Sequence, residues 1–536
     1  MANDSGDVWI VYNGEVYDWE RHAAELRRSG AVFRTRSDTE FILRAYEAWG
    51  IEVLLERLRG MFAFAILDSR RGKVFLARDR MGEKPLVYST AGGELAFGST
   101  VRSVLPFVPA DKRGFSPEGI DAYLAHRYIP APRTVFSDIH RLENGHYLEF
   151  DLRTRALEKR RYWRPEPEAG SWLEALDESV RMRTIADRPL GIFLSGGIDS
   201  TVIASRLASQ HLTQFRSFTA AFPGSGMDEA PLASQTASLL GLPNTAVPIP
   251  DAVGEDFARV VASLDEPFAD PSSFPTWYLA RETAREVKVV LVGDGGDELF
   301  AGYKRVAQHL RSAWRGAFRL PLRVRPSLAG RKLRDELAMP WTLAYSLRFS
   351  GFTPSQRAFL HSEQGLPALT YWRAPDTPGR DNLGHLAAID YANYLPEYIL
   401  RKADLCTMAH GLEARAPFLD HRFVQRILAL PNRERYTRPP KQLLRGAVDA
   451  RLPADLFERK KRGFNPPLRE WLRTKLAGRL EGLGGRLAGL TGGQLSAARI
   501  DSFLSTYTKG EERFAEQVLQ LLVLDESLAQ LKACAR

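Results

Sequence analysis

The chain of 536 residues holds only two cysteines, Cys406 and Cys534. Two thiols cannot build a disulfide framework, a zinc cluster or an iron–sulfur site, and such sparing use suits a reducing cytoplasm. No apolar run approaches the length that spans a bilayer. The first residues, Met-Ala-Asn-Asp-Ser-Gly-Asp, are too polar and acidic for a secretory signal. Neither sign of charge dominates: 74 Lys and Arg against 65 Asp and Glu leave +9, a mild excess that admits anionic substrates without demanding nucleic acid. The densest basic stretch, 305–334, holds eight arginines and reads either as solvated helix faces or as a docking face for a polyanion. Two common phosphate loops are also missing. No Gly-x-x-x-x-Gly-Lys-Ser/Thr string occurs, and the third glycine of a dinucleotide fingerprint starting at Gly293 is replaced by Glu298.

What is present is a different glycine loop. Leu194-Ser-Gly-Gly-Ile-Asp-Ser200 follows an apolar run, 190–194, and precedes a helix-like stretch, 201–210. A strand, a tight turn and a helix start aim backbone N–H groups and the positive end of a helix dipole at one point, which suits phosphate. A second strand-like run, 288–292, leads into Gly293-Asp-Gly-Gly-Asp-Glu298 and another helix-like stretch. Two such loops suggest a nucleotide pyrophosphate with a metal rather than a generic core.

The length predicts two or three domains. Residues 1–110 read as β-rich, with strands at 8–12, 62–67, 73–77 and 95–97 and helices at 19–29 and 39–49, each helix stopped by a glycine (Gly30, Gly50). Residues 111–170 read as a connecting region with a short β segment at 147–150. From 171 to 536 a strand–loop–helix alternation predicts a parallel α/β sheet that gives way to helices past Leu386.

Longer motifs carry a resemblance. Asp-Glu-Pro-Phe-Ala-Asp (265–270), Gly-Asp-Gly-Gly-Asp-Glu-Leu-Phe-Ala-Gly-Tyr (293–303), Gly-Leu-Glu-Ala-Arg-Ala-Pro-Phe-Leu-Asp-His (411–421) and Lys-Arg-Gly-Phe-Asn-Pro-Pro (461–467) stand in this order. Toward the front are Tyr-Asn-Gly-Glu-Val-Tyr (12–17), Arg-Ser-Asp-Thr-Glu (36–40), Leu-Arg-Gly-Met-Phe-Ala-Phe-Ala (58–65) and Ala-Arg-Asp-Arg-Met-Gly-Glu-Lys-Pro-Leu (77–86). Together they resemble the glutamine-hydrolysing asparagine synthetases over nearly the whole chain. The resemblance implies an αββα glutaminase-like domain, lacking its first strands, joined to an α/β ATP-pyrophosphatase domain with a helical tail.

It also implies the chemistry. A carboxylate attacks the α-phosphorus of ATP, pyrophosphate leaves, and ammonia or another amine attacks the acyl-adenylate. Leu194, Ser195, Gly196, Gly197, Asp199, Ser200, Ala220, Val292 and Gly293 match nucleotide-binding positions, with Val292 where a Ser is usual. Asp199 and Asp297 match Mg²⁺ ligands. Asp294 is expected to bind substrate and take up protons, and Lys461, with Lys460 as rival, to neutralise the leaving group. Asn13, Gly14, Glu15 and Asp38 match the glutamine site. The family's nucleophilic Cys after the initiator Met is Ala2 here, and no Cys precedes Cys406, so the chain as given is expected not to hydrolyse glutamine; the alternative is a natural start upstream of Met1 that carries the Cys.

Glu397-Tyr398 and Leu405-Cys406 stand where the family has Asp-Asp and Arg-Met, which casts doubt on asparagine as the product; Lys402 and Asp404 persist. The carboxylate is therefore aspartate or a pathway-specific acid, as in β-lactam-forming and lasso-peptide-closing relatives. A separate glutaminase or carrier-protein partner and a homodimer are compatible with this reading; a membrane or nucleic-acid partner is not expected. A tRNA-modifying ATP pyrophosphatase and a non-catalytic scaffold remain as alternatives.

Overall fold

A computed structural model describes residues 1–212, 214–224, 228–317, 324–330, 332–362, 368–375, 381–457 and 466–535. The chain divides into two compact units. The first comprises residues 1–112, 138–185 and 417–430, and the second residues 113–137, 186–416 and 431–536. No helix among the described residues is long and apolar enough to cross a membrane.

The first unit is built on an antiparallel sheet. Strands β1 (Val8–Val16), β2 (Gly60–Asp68), β3 (Lys73–Arg78), β7 (His146–Asp151) and β8 (Leu157–Arg161) lie in the order β1-β2-β3-β7-β8. Strict alternation gives the sheet two apolar faces. Ile10, Phe62, Phe64, Phe75 and Tyr147 pack with Leu26, Phe41 and Leu54 of the helices Trp19–Arg28 and Asp38–Arg57. Ala65, Leu76, Leu148 and Phe150 pack instead with Leu86, Tyr88 and Leu142, which belong to or flank a small sheet of β4 (Val87–Ser89), β5 (Ala96–Gly98) and β6 (His140–Arg141). This helix–sheet–sheet stack is the core of the expected αββα arrangement.

Two local expectations change. Gly50 kinks its helix rather than ending it: at φ 75°, ψ 176° it breaks the ladder, and the helix resumes to Arg57 because Ile51, Leu54 and Leu55 continue the apolar stripe into the core. Strand β1 runs on through Asn13, Gly14 and Glu15 to Val16, each paired across to β2.

In the second unit the pairings between the described strands of the main sheet are parallel. The sheet order is β11 (Asn244–Pro248), β10 (Arg216–Ala221), β9 (Leu190–Phe193), β12 (Val289–Leu291), β13 (Glu413–Arg415). From β9 the chain steps one way to β10 and β11, then returns to lay β12 on the opposite side. Strands β9 and β12 are thus neighbours, in the register Leu190↔Val289 to Ile192↔Leu291, although 98 residues separate their first positions. A crevice at the carboxyl ends of two strands where the order reverses is where open α/β sheets bind ligands. Two arginines of the basic stretch are held in ion pairs, Arg305 with Asp390 at 2.9 Å and Arg315 with Glu336 at 2.6 Å.

Candidate active site

Both glycine loops leave the sheet at this crevice. After β9, the Leu194 N–H donates to Phe218 O at 2.9 Å, ending the regular pairing with β10. The next turn is stitched by hydroxyls. Ser200 Oγ lies 3.1 Å from both Ser195 N and Ser195 Oγ, and Gly197 N donates to Ser195 Oγ at 3.1 Å. The helix Ile198–Ser209 starts at Gly197 with no side chain capping it. Its first turn therefore presents the positive end of the dipole, with Asp199 as the acidic residue within that turn. Gly196 is confined: a Cβ there would lie 2.9 Å from Leu232 Cδ2.

The second loop touches the first. A Cβ on Gly293 would lie 2.9 Å from Ser200 N and 3.1 Å from Asp199 Cβ, and one on Gly296 2.5 Å from Asp199 Oδ1. Gly295 turns the chain at φ 94°, a conformation that costs glycine little. The helix that follows, Gly296–Leu299, is one turn long; Ala301 takes φ 48° and the Gly302 N–H donates back to Asp297 O at 2.9 Å, which closes it.

The three acidic residues of this loop separate. Asp297 faces Asp199: the ammonium of Lys441 ion-pairs with Asp199 Oδ2 at 2.5 Å and also with Asp297 Oδ1. The two carboxylates are 14% and 16% exposed, and the Lys441 side chain 6%. Glu298 instead turns into the interior and accepts from Tyr303 Oη at 2.6 Å. Burial, reinforced by the Asp297 charge, pushes its carboxyl up to about 8. Asp294 adds its charge to the field around Lys402. Lys402 Nζ donates to Asp270 Oδ2 at 3.0 Å and Ser272 Oγ at 2.9 Å, tying the helix Arg401–Met408 to the Asp-Glu-Pro-Phe-Ala-Asp motif. In the same motif Glu266 is paired with Arg401 at 2.9 Å.

Beside this lies an aromatic enclosure. The Arg305 guanidinium stands 3.9 Å from the Tyr303 ring centroid and 4.1 Å from that of Tyr394. It donates to Tyr345 Oη and to Asp390 Oδ1, each at 2.9 Å, while Tyr345 Oη donates to Asp390 Oδ2 at 2.7 Å.

The nucleotide positions named from sequence thus gather at one sheet end. Leu194, Ala220 and Val292 are buried at the carboxyl ends of the adjacent strands β9, β10 and β12. The Val292 N–H is committed to Arg415 O at 3.0 Å. Lys461 and Lys460 lie outside the described residues. In the first unit, Asp38 Oδ2 accepts from Tyr12 Oη at 2.6 Å and from Val16 N at 3.0 Å, which brings Asp38 to the strand carrying Asn13, Gly14 and Glu15. A side chain at Gly14 would strike the Met61 carbonyl and lie 2.7 Å from Phe62 Cα.

Sequence reasoning missed Lys441, Gly302 and the Arg305 enclosure. Lys441 is one of 74 basic residues and stands 242 positions from Asp199; only the preceding Pro439-Pro440 punctuates the chain there. Gly302 is what lets Lys441 in, since a Cβ at that position would strike both Asp297 Oδ1 and Lys441 Cε. Gly302→Ala is expected to displace the ammonium and lower ATP-dependent turnover about ten- to a hundredfold. Steady-state kinetics beside a circular dichroism spectrum unchanged from wild type check this.

Among the described residues no group of three or more His, Cys, Asp or Glu could by itself hold a metal. The fit to a divalent cation rests on Asp199 and Asp297. They supply two hard oxygen ligands that already meet at one positive charge, and Mg²⁺ takes one or two carboxylates together with phosphate oxygens and waters.

The family model described as Asparagine synthase matches residues 171–535, and that described as Glutamine amidotransferase domain matches residues 1–163. A putative asparagine synthetase [glutamine-hydrolyzing] of Mycobacterium tuberculosis (strain ATCC 25618 / H37Rv) is 35% identical over 499 residues, covering 87% of this chain and 76% of the relative. Asparagine synthetase [glutamine-hydrolyzing] 1 of Bacillus subtilis (strain 168) is 30% identical over 511 residues, 89% and 78% of the two chains. Amidase chyE of Penicillium rubens (strain ATCC 28089 / DSM 1075 / NRRL 1951 / Wisconsin 54-1255) is 28% identical over 542 residues, 88% and 78%.

Proposed function

The chain belongs to the asparagine synthase family and is an ATP-dependent carbon–nitrogen ligase with a glutamine amidotransferase domain; from that premise we propose that its second unit activates a carboxylic acid as an acyl-adenylate and passes it to an amine. The observation that carries this reading is the meeting of Asp199 and Asp297, from two different loops, at the Lys441 ammonium in the β9/β12 crevice.

The steps follow from the residues. ATP lies with its adenine against Leu194, Ala220, Val292 and Gly293. Its phosphates rest on the turn from Ser195 to Ser200, where the helix dipole and N–H groups face developing negative charge. Asp199 and Asp297 would hold Mg²⁺, which would supply charge neutralisation to the phosphates. Lys461 offsets charge on the departing pyrophosphate. Asp294, next to the nucleotide loop and within the field of Lys402, accepts the proton that the incoming amine must lose before the amide forms.

A pathway-specific acid is favoured over aspartate by the walls. The rings of Tyr303, Tyr345 and Tyr394 surround the Arg305–Asp390 ion pair, with Glu397 and Tyr398 on the same helical segment as Asp390 and Tyr394, so that the charged pair is set in an aromatic surround. The likeness to an amidase at 28% identity supports this specialised reading. The test is carboxylate-dependent exchange of labelled pyrophosphate into ATP, run with aspartate and a panel of aromatic and aliphatic acids. An acid that supports exchange, followed by an amine-dependent release of AMP, is expected. Release of ADP and phosphate, or the lack of exchange with every acid, overturns the proposal.

A further inference from the structure

Lys441 is placed with unusual care for a side chain that sequence patterns did not single out. Its backbone adopts φ 63°, ψ 27° at the start of the short helix Gln442–Arg445, a left-handed conformation that costs a non-glycine residue and persists where the surroundings impose it. Its ammonium is nearly sealed from solvent, between a carboxylate from the first turn after β9 and one from the loop after β12. Gly302 keeps the space its stem needs. A buried lysine needs a partner, and here it has two.

Those two partners are the pair read above as metal ligands, and the inference rests on that reading. Two carboxylates brought together for a divalent cation repel one another whenever the cation is absent, and a charge between them is then needed to keep both loops in register. An ammonium and a divalent cation cannot share one point between the same oxygens. We propose that Lys441 holds the cation position in the nucleotide-free enzyme and yields it when metal arrives with ATP, its charge then turning to the phosphate oxygens. Metal and nucleotide binding are thereby coupled: metal alone must evict the lysine from both carboxylates, whereas metal with ATP brings phosphate anions along.

This predicts effects of opposite sign from one substitution, which a merely structural lysine would not produce. Mn²⁺ binding to the full chain, followed by electron paramagnetic resonance of free Mn²⁺, is compared with and without ATP. Lys441→Met is expected to tighten nucleotide-free Mn²⁺ binding at least tenfold, and to weaken Mn²⁺–ATP binding at least tenfold. Lys441→Gln, which removes the charge and keeps a polar amide one bond shorter, serves if the Met variant does not fold, with the same two signs expected. Nucleotide-free Mn²⁺ affinity unchanged or weakened in these variants, while Asp297→Asn still impairs Mn²⁺–ATP binding, overturns the inference and leaves the metal site standing. Wild-type Mn²⁺–ATP binding by Asp297→Asn overturns the metal site and the inference together.

Discussion

Asp199→Asn and Asp297→Asn are each expected to cut carboxylate-dependent pyrophosphate exchange by about 10² to 10³, the usual loss when one preorganised electrostatic group is removed from a reacting centre. The substitution is close to isosteric and keeps an oxygen able to accept from Lys441, so the folded state changes little. What is lost is one of the two negative charges that meet at Lys441 Nζ. Two carboxylates about 6 Å apart repel by about 3 kcal/mol at an effective dielectric near 20, and a site that keeps such a pair draws a cation in return. Removing either charge therefore weakens the hold on the same ion. The double variant should lose scarcely more activity than the worse single one, because groups that act as a unit are not additive. Exchange kinetics with thermal denaturation as control decide the matter: near wild-type exchange in either variant, or multiplicative losses in the double, would remove the shared-ion reading.

The two loops were legible one at a time because each has a strand before it and glycines that only a tight turn needs. Their contact was not legible. It depends on β9 pairing in parallel with β12, and no local pattern announces which of several apolar runs will be neighbours. Lys441 is a stronger case. Its role exists only once the chain has carried it across from a one-turn helix to Asp199, and its local sequence resembles any surface lysine's. The strand β1 was underestimated for a related reason: Asn13, Gly14 and Glu15 look like a turn, yet pairing with Ala63, Phe62 and Met61 extends the strand through them. Long-range pairing overrode local propensity there. The helices of the first unit were easier, since apolar spacing in Asp38–Arg57 survives its kink.

The Gly-Leu-Glu-Ala-Arg-Ala-Pro-Phe-Leu-Asp-His motif marks the family in sequence, and its Asp420 gives it a physical reason in the first unit. Asp420 accepts from Arg59 Nε and Nη2, each at 2.8 Å, and from Arg183 Nη1 at 3.4 Å, and it caps the helix His421–Ala429 through Arg422 N at 3.1 Å. It is 2% exposed, Arg59 4% and Arg183 2%. Asp420→Ala strips a buried carboxylate from two buried guanidiniums, a change that typically costs about 3–5 kcal/mol, with Glu178, 2.9 Å from Arg59 Nη1, left to offset part of it. Burial alone would raise the Asp420 carboxyl, but the Arg59 and Arg183 charges hold it well below the usual carboxylate range. With its folded pKa depressed, the ion cluster's contribution is present above the unfolded pKa of about 4 and is lost as pH falls through the lower folded value. Asp420→Ala should therefore lower the stability of the first unit at neutral pH and flatten its loss of stability below about pH 4. Hydrogen exchange of the amides in β2 and in the helix His421–Ala429, read at pH 7 and in acid, separates the two effects. Protection as strong as wild type at pH 7 would show that Asp420 is not what fastens this segment.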